Sequence, residues 1–189
     1  MNLKENRELI KSSYYKYTDK KYNFVNRIVT NFKRPGFRYI YEYRKVQYYR
    51  EHKLFVLNYV AHLLVLNRLR NNLGIYIGLD AIIGKGFFIG HPTSIVISGG
   101  AILGDNVRLL QCTTIGDNMH KVIEGRKAPM IGNNVDIGAN VSIIGPVKIG
   151  DNVIIGTGSV VVKNISNNKV AVGNPAKEVK ENLFDNSKI

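Results

Sequence analysis

An aliphatic residue recurs at every sixth position through most of the second half of the chain. Most members of this series are followed directly by glycine, and the side chain four positions after each is usually small or β-branched. The members are Ile77, Ile83, Ile89, Ile97, Leu103, Leu109, Ile115, Ile131, Ile137, Ile143, Ile149, Ile155 and Val161. A six-residue period does not keep to one face of a 3.6-residue helix, whereas it fits a triangular coil in which each unit forms one short strand and one corner. The sequence therefore predicts a mainly β fold, a parallel β-helix of about four coils.

Two breaks interrupt the six-residue series, and each contains a histidine. The first step is eight residues long instead of six and includes His91, and the second is sixteen residues long and includes His120. Insertions in a solenoid project from its surface, where functional side chains are usually carried. We therefore expect an extruded loop at about residues 117–130 and functional roles for both histidines.

The first 75 residues have a different character from the repeat. They carry 16 Lys/Arg and 5 Asp/Glu, which is a net charge of +11 out of the +13 of the whole chain, and they hold ten of the eleven tyrosines.

The spacing of apolar residues in this part predicts four helices, with Asp19 as an N-cap and Pro35-Gly36 as a turn. The predicted helices lie at about 2–17, 19–32, 37–52 and 53–72. We expect three parts, namely a basic helical segment (1–75), the β-helix (76–165) and a C-terminal tail (166–189).

The chain contains one cysteine, Cys112, and no segment suited to secretion or to a membrane span. A lone cysteine cannot form an intramolecular disulfide, so a reducing compartment is favoured. The longest apolar run, residues 54–66, is shorter than the roughly 20 residues needed to cross a bilayer. The prediction is a cytoplasmic protein.

Two stretches of the repeat resemble a known family, the left-handed β-helix (hexapeptide-repeat) acyltransferases, and within it the serine acetyltransferase-like branch. They are GKGFFIGHPTSIVISGGAILGDNVRLLQCTTIG and IGTGSVVVKNISNNKVAVGNPAKEVK. The resemblance implies a left-handed coil and acetyl-CoA as co-substrate. It also implies a homotrimer with active sites between neighbouring β-helices, each of which forms a triangular prism. It places His91 on the general base, Ala139 and Thr157 on the acetyl-CoA channel, and Lys177 in the closing segment near the CoA phosphates. Lys163 and Lys180 are further candidates for contact with these phosphates, and for all three lysines the alternative is an ordinary solvated tail.

Three positions depart from what this resemblance implies for serine acetyltransferases. Gly90 stands where an aspartate would bind the amino acid, Ala128 where a second histidine would lie, and Tyr76 where an aspartate would orient the base. Together with KRPGFRYIYEYR, which is similar to bacterial polysaccharide and exopolysaccharide O-acetyltransferases, these departures favour a hydroxyl of a glycan or polysaccharide precursor as the acceptor. Serine or the amine of a sugar nucleotide is the alternative acceptor.

Acetyl transfer to a hydroxyl needs a base, and histidine is suited to that role because it titrates near neutral pH. The hypothesis is that His91 deprotonates the acceptor, which attacks acetyl-CoA directly without an acyl-enzyme. His120 is expected to contact substrate, to act as the base itself or to be a solvated loop residue. Tyr76 is a second candidate, with His120, for substrate contact or a secondary catalytic role. Cys112 is expected in the middle of a strand, which argues against a nucleophilic role.

Two other classes of protein stay open, and so do the partners of the basic half. One class is a zinc enzyme, for which two histidines in the repeat are too few ligands, so that no metal is expected. The other is a non-catalytic trimeric scaffold.

The basic helical half is expected to pack on the prism and to contact an anionic membrane, at its inner face, or a lipid-linked glycan. No nucleic-acid motif is present.

Overall fold

A computed structural model describes residues 1–186 and shows a parallel β-helix preceded by helices. The helices are α1 (Leu3–Tyr15), α2 (Phe24–Lys33), α3 (Pro35–Glu51) and α4 (Val56–Leu73), with a single 3₁₀ turn at Lys53–Phe55. The strands are β1 (Ile75–Ile77), β2 (Ile82–Ile83), β3 (Phe88–Ile89), β4 (Ile95–Ile97), β5 (Ile102–Leu103), β6 (Arg108–Leu109), β7 (Thr114–Gly116), β8 (Met130–Ile131), β9 (Asp136–Ile137), β10 (Ser142–Ile144), β11 (Lys148–Ile149), β12 (Ile154–Ile155), β13 (Val160–Val161), β14 (Lys169–Gly173) and β15 (Ala176–Glu181).

The strands form three faces of a prism, and up to β13 every third strand lies on the same face. Sheet A has the order β1-β4-β7-β10-β13, sheet B the order β2-β5-β8-β11, and sheet C the order β3-β6-β9-β12-β14-β15. All neighbours pair in parallel except β14 and β15, which form an antiparallel hairpin. The parallel β-helix predicted from the repeat is confirmed.

The prism has five coils, of which the thirteen members of the aliphatic series account for a little over four. The fifth coil consists of β13, a bridge between Ile149 and Ile165, and β14. Its inward residues Ile165 and Ala171 are buried, but Ile165 follows Val161 by four residues instead of six, which breaks the regular spacing at that point. Residues expected in a C-terminal tail therefore complete the prism.

The core of the prism is the aliphatic series itself. All thirteen members are at most 4% exposed, and burial of such a side chain contributes roughly 1.5–3 kcal/mol. Successive coils approach so closely at one corner that a Cβ on Gly104 would lie 2.7 Å from the carbonyl oxygen of Gly132. This contact explains why glycine follows the aliphatic residue there.

Three of the four helices begin at residues other than those predicted, and α4 begins at Val56 rather than at Lys53. Asn23, not Asp19, caps α2, because its Oδ1 accepts a hydrogen bond of 2.8 Å from the backbone N–H of Asn26. Pro35 and Gly36 form the first turn of α3 rather than a separate turn, since proline is well suited to the first helical position. The helical part ends at Leu73, and Gly74 in the left-handed region leads into β1.

Side chains from the helical part cover the open end of the prism, where β1, β2 and β3 have no strand below them. The Tyr39 hydroxyl donates to the carbonyl of Ile75 and accepts from the N–H of Ile77, both at 3.3 Å. The Arg44 guanidinium is 3% exposed and donates to the carbonyls of Ile83 (2.7 Å) and Gly84 (2.9 Å). Burial lowers the pKa of Arg44 to about 10. Helix α3 therefore satisfies polar groups that an uncapped end coil would leave unpaired.

Among residues 1–186, no helix has the length and apolar character that crossing a membrane would require.

Candidate active site

His91 lies in the loop that joins β3 to β4, directly after Gly90. The loop is held by backbone hydrogen bonds, from Thr93 N–H to the His91 carbonyl (2.9 Å) and from Ser94 N–H to the carbonyl of Leu73 at the end of α4 (3.0 Å). The His91 side chain is exposed, and no side chain among the described residues hydrogen-bonds its imidazole. The two extra residues of the first break thus carry the imidazole outward on a fixed loop.

Corners of successive coils stack above this loop along one edge of the prism. We call this edge the corner row; it consists of residues 90–94, 110–113, 138–141 and 156–159, each between a strand of sheet C and the next strand of sheet A. Backbone hydrogen bonds join the corners, from Cys112 to Thr93 (3.1 Å), from Asn140 to Gln111 (3.0 Å) and from Gly158 to Ala139 (2.9 Å).

The corner row brings together three residues that the resemblance assigns to acetyl-CoA and catalysis. Ala139 lies two coils from His91 and Thr157 lies three coils away, which corresponds to about 10 Å and about 14 Å at the usual spacing of neighbouring strands. Thr157 is exposed, whereas Ala139 is buried and offers its backbone. An extended ligand could lie along this edge with its reacting end at His91.

The prediction that Cys112 lies in mid-strand is wrong. Cys112 occupies the corner row with a φ of 57°, and its side chain is exposed. A corner residue in the left-handed region is usually asparagine or glycine, as at Asn140 in the next coil. Because cysteine is not typical of this conformation, the sequence did not indicate a corner at position 112. The thiol is therefore on the candidate site's edge, one coil from the histidine loop.

The closing hairpin completes the far end of the corner row. The N–H of Gly173 donates to the Ser159 Oγ at 3.1 Å, and Lys177 pairs with Val172 across the hairpin. Lys177 is exposed next to the last corner. The other two lysines lie elsewhere, because Lys163 follows β13 at the next edge of the prism and Lys180 pairs with Val170 towards the other end of β14.

Tyr17, from the helical part, holds the strand that precedes His91. Its hydroxyl accepts from the N–H of Ile89 and donates to the carbonyl of the same residue, both at 2.9 Å. Its ring lies 4.6 Å from that of Phe88, and burial raises its pKa well above the usual range. Nothing in the sequence marks this contact, because the partners are 72 residues apart and ten tyrosines precede residue 76.

Replacing Tyr17 with phenylalanine should leave both backbone groups of Ile89 without a partner. We expect a loss of about 1–3 kcal/mol in the free energy of unfolding and a fall in Tm of roughly 3–10 °C. Thermal unfolding of Tyr17→Phe checks this, with Tyr49→Phe as the control because no hydrogen bond of the Tyr49 hydroxyl is formed within the described residues. Equal Tm values for the two variants would contradict the role given to Tyr17.

A cavity of about 280 Å³ opens beside the histidine loop. Gly90 and Pro92, which flank His91, contribute to its wall, and the helical part contributes three cationic side chains. The residues around it are Lys16, Tyr17, Lys33, Arg34, Pro35, Gly36, Phe88, Gly90 and Pro92. No Asp or Glu occurs among these described lining residues, and partial burial lowers the pKa of Lys16. The cavity is suited to a small molecule that carries a negative charge.

The remaining predicted site residues, His120, Tyr76 and Ala128, lie outside the corner row. His120 is exposed on the extruded loop between β7 and β8, which folds back on itself through an antiparallel bridge between Ile123 and Arg126. Tyr76 is 57% exposed on sheet A, with the Arg70 guanidinium carbon 5.1 Å from its ring centre. Ala128 is buried at the base of the extruded loop. No group of three or more His, Cys, Asp or Glu residues in the described part of the chain could hold a metal ion.

Comparison with known proteins gives the same fold and a consistent set of relatives. Residues 128–163 match the family described as bacterial transferase hexapeptide (six repeats). The chain is 33% identical over 146 residues to a serine acetyltransferase from Synechococcus elongatus, covering 77% of this chain and 57% of that protein.

Solved structures extend the likeness over the helical part. A serine acetyltransferase from Neisseria gonorrhoeae in complex with serine matches with a TM-score of 0.71 at 30% identity, covering 94% of this chain and 68% of that one. A serine acetyltransferase in complex with CoA matches with a TM-score of 0.64 at 28% identity, over 77% of this chain and 57% of that one.

The fold and the corner row define a hexapeptide-repeat protein with a left-handed parallel β-helix, the hand implied by the resemblance. The chain belongs to the hexapeptide-repeat transferase family, and the relatives named above are all serine acetyltransferases. It spans about half the length of the curated relatives it matches.

Proposed function

We propose that the protein is an acetyl-CoA-dependent O-acetyltransferase with His91 as the general base. The observation that carries the proposal is the corner row, in which His91, Ala139 and Thr157 share one edge of the prism and Lys177 lies at its end. Relatives of the serine acetyltransferase type, one of them solved with CoA, support acetyl-CoA as the co-substrate.

In the proposed reaction the His91 imidazole removes the proton of the acceptor hydroxyl as its oxygen attacks the thioester carbonyl. The tetrahedral intermediate then expels the CoA sulfur, which receives the proton from the imidazolium, so that no acyl-enzyme forms. Positioned general-base catalysis contributes roughly 10²–10⁴ in rate. Binding of both substrates on the same edge of the prism contributes further to the rate, because it brings the reacting groups together.

We propose serine as the acceptor to test first, ahead of the glycan hydroxyl that the sequence favours. The relatives named above are serine acetyltransferases, one of them solved with serine, and none is a polysaccharide O-acetyltransferase. The cavity with Lys16, Lys33 and Arg34 beside the histidine loop suits a carboxylate. Gly90, Tyr76 and Ala128 keep a glycan or glycan precursor as the second candidate, because they replace the residues expected around an amino acid.

Release of CoA, followed with a thiol-reactive dye, tests the function and separates the acceptors. The purified chain is supplied with acetyl-CoA and, in turn, with serine, serine methyl ester, an acidic sugar, a neutral sugar and an amino sugar nucleotide. We expect acceptor-dependent CoA release with serine and much less with its ester, which lacks the negative charge. Release only with a sugar would select the second candidate, and no release with any acceptor would favour the scaffold.

We propose further that the enzyme is a homotrimer and that its basic helical half brings it to an anionic surface. The exposed corner row supports the trimer, because an edge that lies open in one prism can be closed by a neighbouring one. The net charge of +11 in residues 1–75 supports the second part. Sedimentation equilibrium measures the oligomeric state directly.

Alkylation of Cys112 should inhibit the enzyme although the thiol takes no part in the chemistry. The exposed thiol lies on the corner row, so that an added maleimide obstructs the edge on which acetyl-CoA is proposed to lie. We expect N-ethylmaleimide to lower activity at least tenfold, CoA to protect against it, and Cys112→Ser to be both active and resistant. Loss of activity in Cys112→Ser itself would point instead to a nucleophilic cysteine.

A further inference from the structure

Helix α2 turns its apolar face to solvent. Of its ten residues only Thr30 is buried, whereas five large apolar side chains are substantially exposed. They are Phe24 (69%), Val25 (65%), Ile28 (40%), Val29 (39%) and Phe32 (83%). At 100° per residue these five fall within one arc of about 140°, on the side opposite Thr30. An amphipathic helix normally points such a face inward, so this face is available to another surface.

Positive charge surrounds this apolar face. Between residues 20 and 41 the chain has six Lys/Arg and no Asp or Glu. Five of the six are exposed, namely Lys20, Lys21, Lys33, Arg34 and Arg38. The sixth, Arg27, packs with its guanidinium carbon 5.2 Å from the ring centres of both Phe24 and Tyr41. The combination of a broad apolar face with a basic border is typical of helices that lie in the interface of an anionic bilayer.

We propose that α2 docks the protein on an anionic lipid bilayer, with Phe24 and Phe32 inserted at the headgroup boundary. Charge complementarity favours an anionic bilayer over a second copy of the chain as the partner of the apolar face of α2. Two copies meeting face to face through α2 would bring six positive charges against six others with no acidic partner in residues 20–41. An anionic surface instead gains from each cation.

Docking through α2 would also set the position of the candidate active site. The helix ends at Lys33, which lines the cavity beside the His91 loop. A bound α2 therefore holds the mouth of that cavity near the lipid headgroups, within reach of an acceptor made or carried at the membrane. This consequence rests on the proposed acetyl transfer. The docking itself does not depend on that activity, and it names α2 as the contact with the anionic surface proposed above.

Vesicle co-sedimentation tests the docking without any enzymatic assay. The full chain is mixed with vesicles of equimolar phosphatidylglycerol and phosphatidylcholine, and with vesicles of phosphatidylcholine alone. We expect binding to the first and not to the second, weakening as salt rises from about 0.1 M to about 1 M because the screening length falls from about 10 Å to about 3 Å. The variant Lys20→Gln/Lys21→Gln should bind roughly 25-fold more weakly, a factor of about five for each charge lost.

A separate variant and its control test the contribution of the apolar side chains of α2 to vesicle binding. Phe24→Gln/Phe32→Gln should lower binding roughly tenfold or more, because each phenylalanine loses its burial in the bilayer. Leu183→Gln, which removes an apolar side chain that is 90% exposed in the C-terminal region, should bind as the unaltered chain does. Absence of binding to the anionic vesicles would overturn the proposal. Full binding by the phenylalanine variant would also overturn it, because the site would then be purely ionic, as a nucleic-acid site is. A changed oligomeric state of the phenylalanine variant would overturn it as well, because α2 would then form a contact between two copies of the chain.

Discussion

Replacing His91 with alanine should lower kcat by roughly 10²–10⁴, the share that a positioned general base contributes, and should leave Tm unchanged. The imidazole is exposed, and the hydrogen bonds that hold its loop come from backbone groups, so its removal costs little stability. CoA release under saturating acetyl-CoA measures kcat, and thermal unfolding of the same preparation verifies the fold.

His120→Ala is the matched control for this prediction. Its imidazole is also exposed, but it lies on the extruded loop away from the corner row. We expect a change in KM for the acceptor at most. Unaltered turnover in His91→Ala would remove the assigned base, and a large kcat loss confined to His120→Ala would transfer that role to the extruded loop.

Replacing Arg44 with methionine should destabilise the protein by about 3–5 kcal/mol. The substitution removes three hydrogen bonds, one of them to Gln47, and leaves the carbonyls of Ile83 and Gly84 unpaired beneath the end coil. At this chain length the expected fall in Tm is roughly 6–20 °C.

Arg38→Met on the same helix supplies the comparison for Arg44. The Arg38 side chain is exposed, so its loss should change the free energy of unfolding by no more than about 0.5 kcal/mol. Denaturant unfolding of both variants gives the two values on one scale. A loss below about 1 kcal/mol in Arg44→Met would show that the capping of the prism is not a major source of stability.

The prism was predictable because its pattern is local and repeated. Every member of the aliphatic series from Ile77 to Val161 faces inward, and both breaks in the series are loops in the structure. Most of the fifth coil was not predicted because Ile165 follows Val161 by four residues instead of six, so that the series ends at Val161. The next inward residue, Ala171, again follows by six residues and pairs with Ile155 of β12.

The contacts between the two halves could not be predicted from the sequence. Arg44 lies under Ile83, 39 residues away, and Tyr17 lies against Ile89, 72 residues away. No periodicity connects such partners, and an arginine or a tyrosine in a basic helix ordinarily faces solvent. The cations of the cavity beside His91 come from the ends of α1 and α2 and the residue before α3, so only the folded chain brings them together.

Which residues form the candidate site stays a prediction that comes from the resemblance, whereas their positions on the prism come from the structure. The resemblance selected His91, Ala139, Thr157 and Lys177, and the structure places them along one edge or at its end. The separation of Lys177 and Lys163 onto different edges could not be predicted, because position in sequence does not tell which edge of a prism a residue occupies.

Calorimetric titration with CoA tests most directly whether the corner row is a CoA site. The unaltered chain should bind one CoA per chain at saturation, Thr157→Trp should lose that binding, and Lys163→Trp, which places the same bulk on the next edge, should retain it. Absence of binding at millimolar CoA, or equal affinity in the two tryptophan variants, would contradict the assignment of this edge to acetyl-CoA.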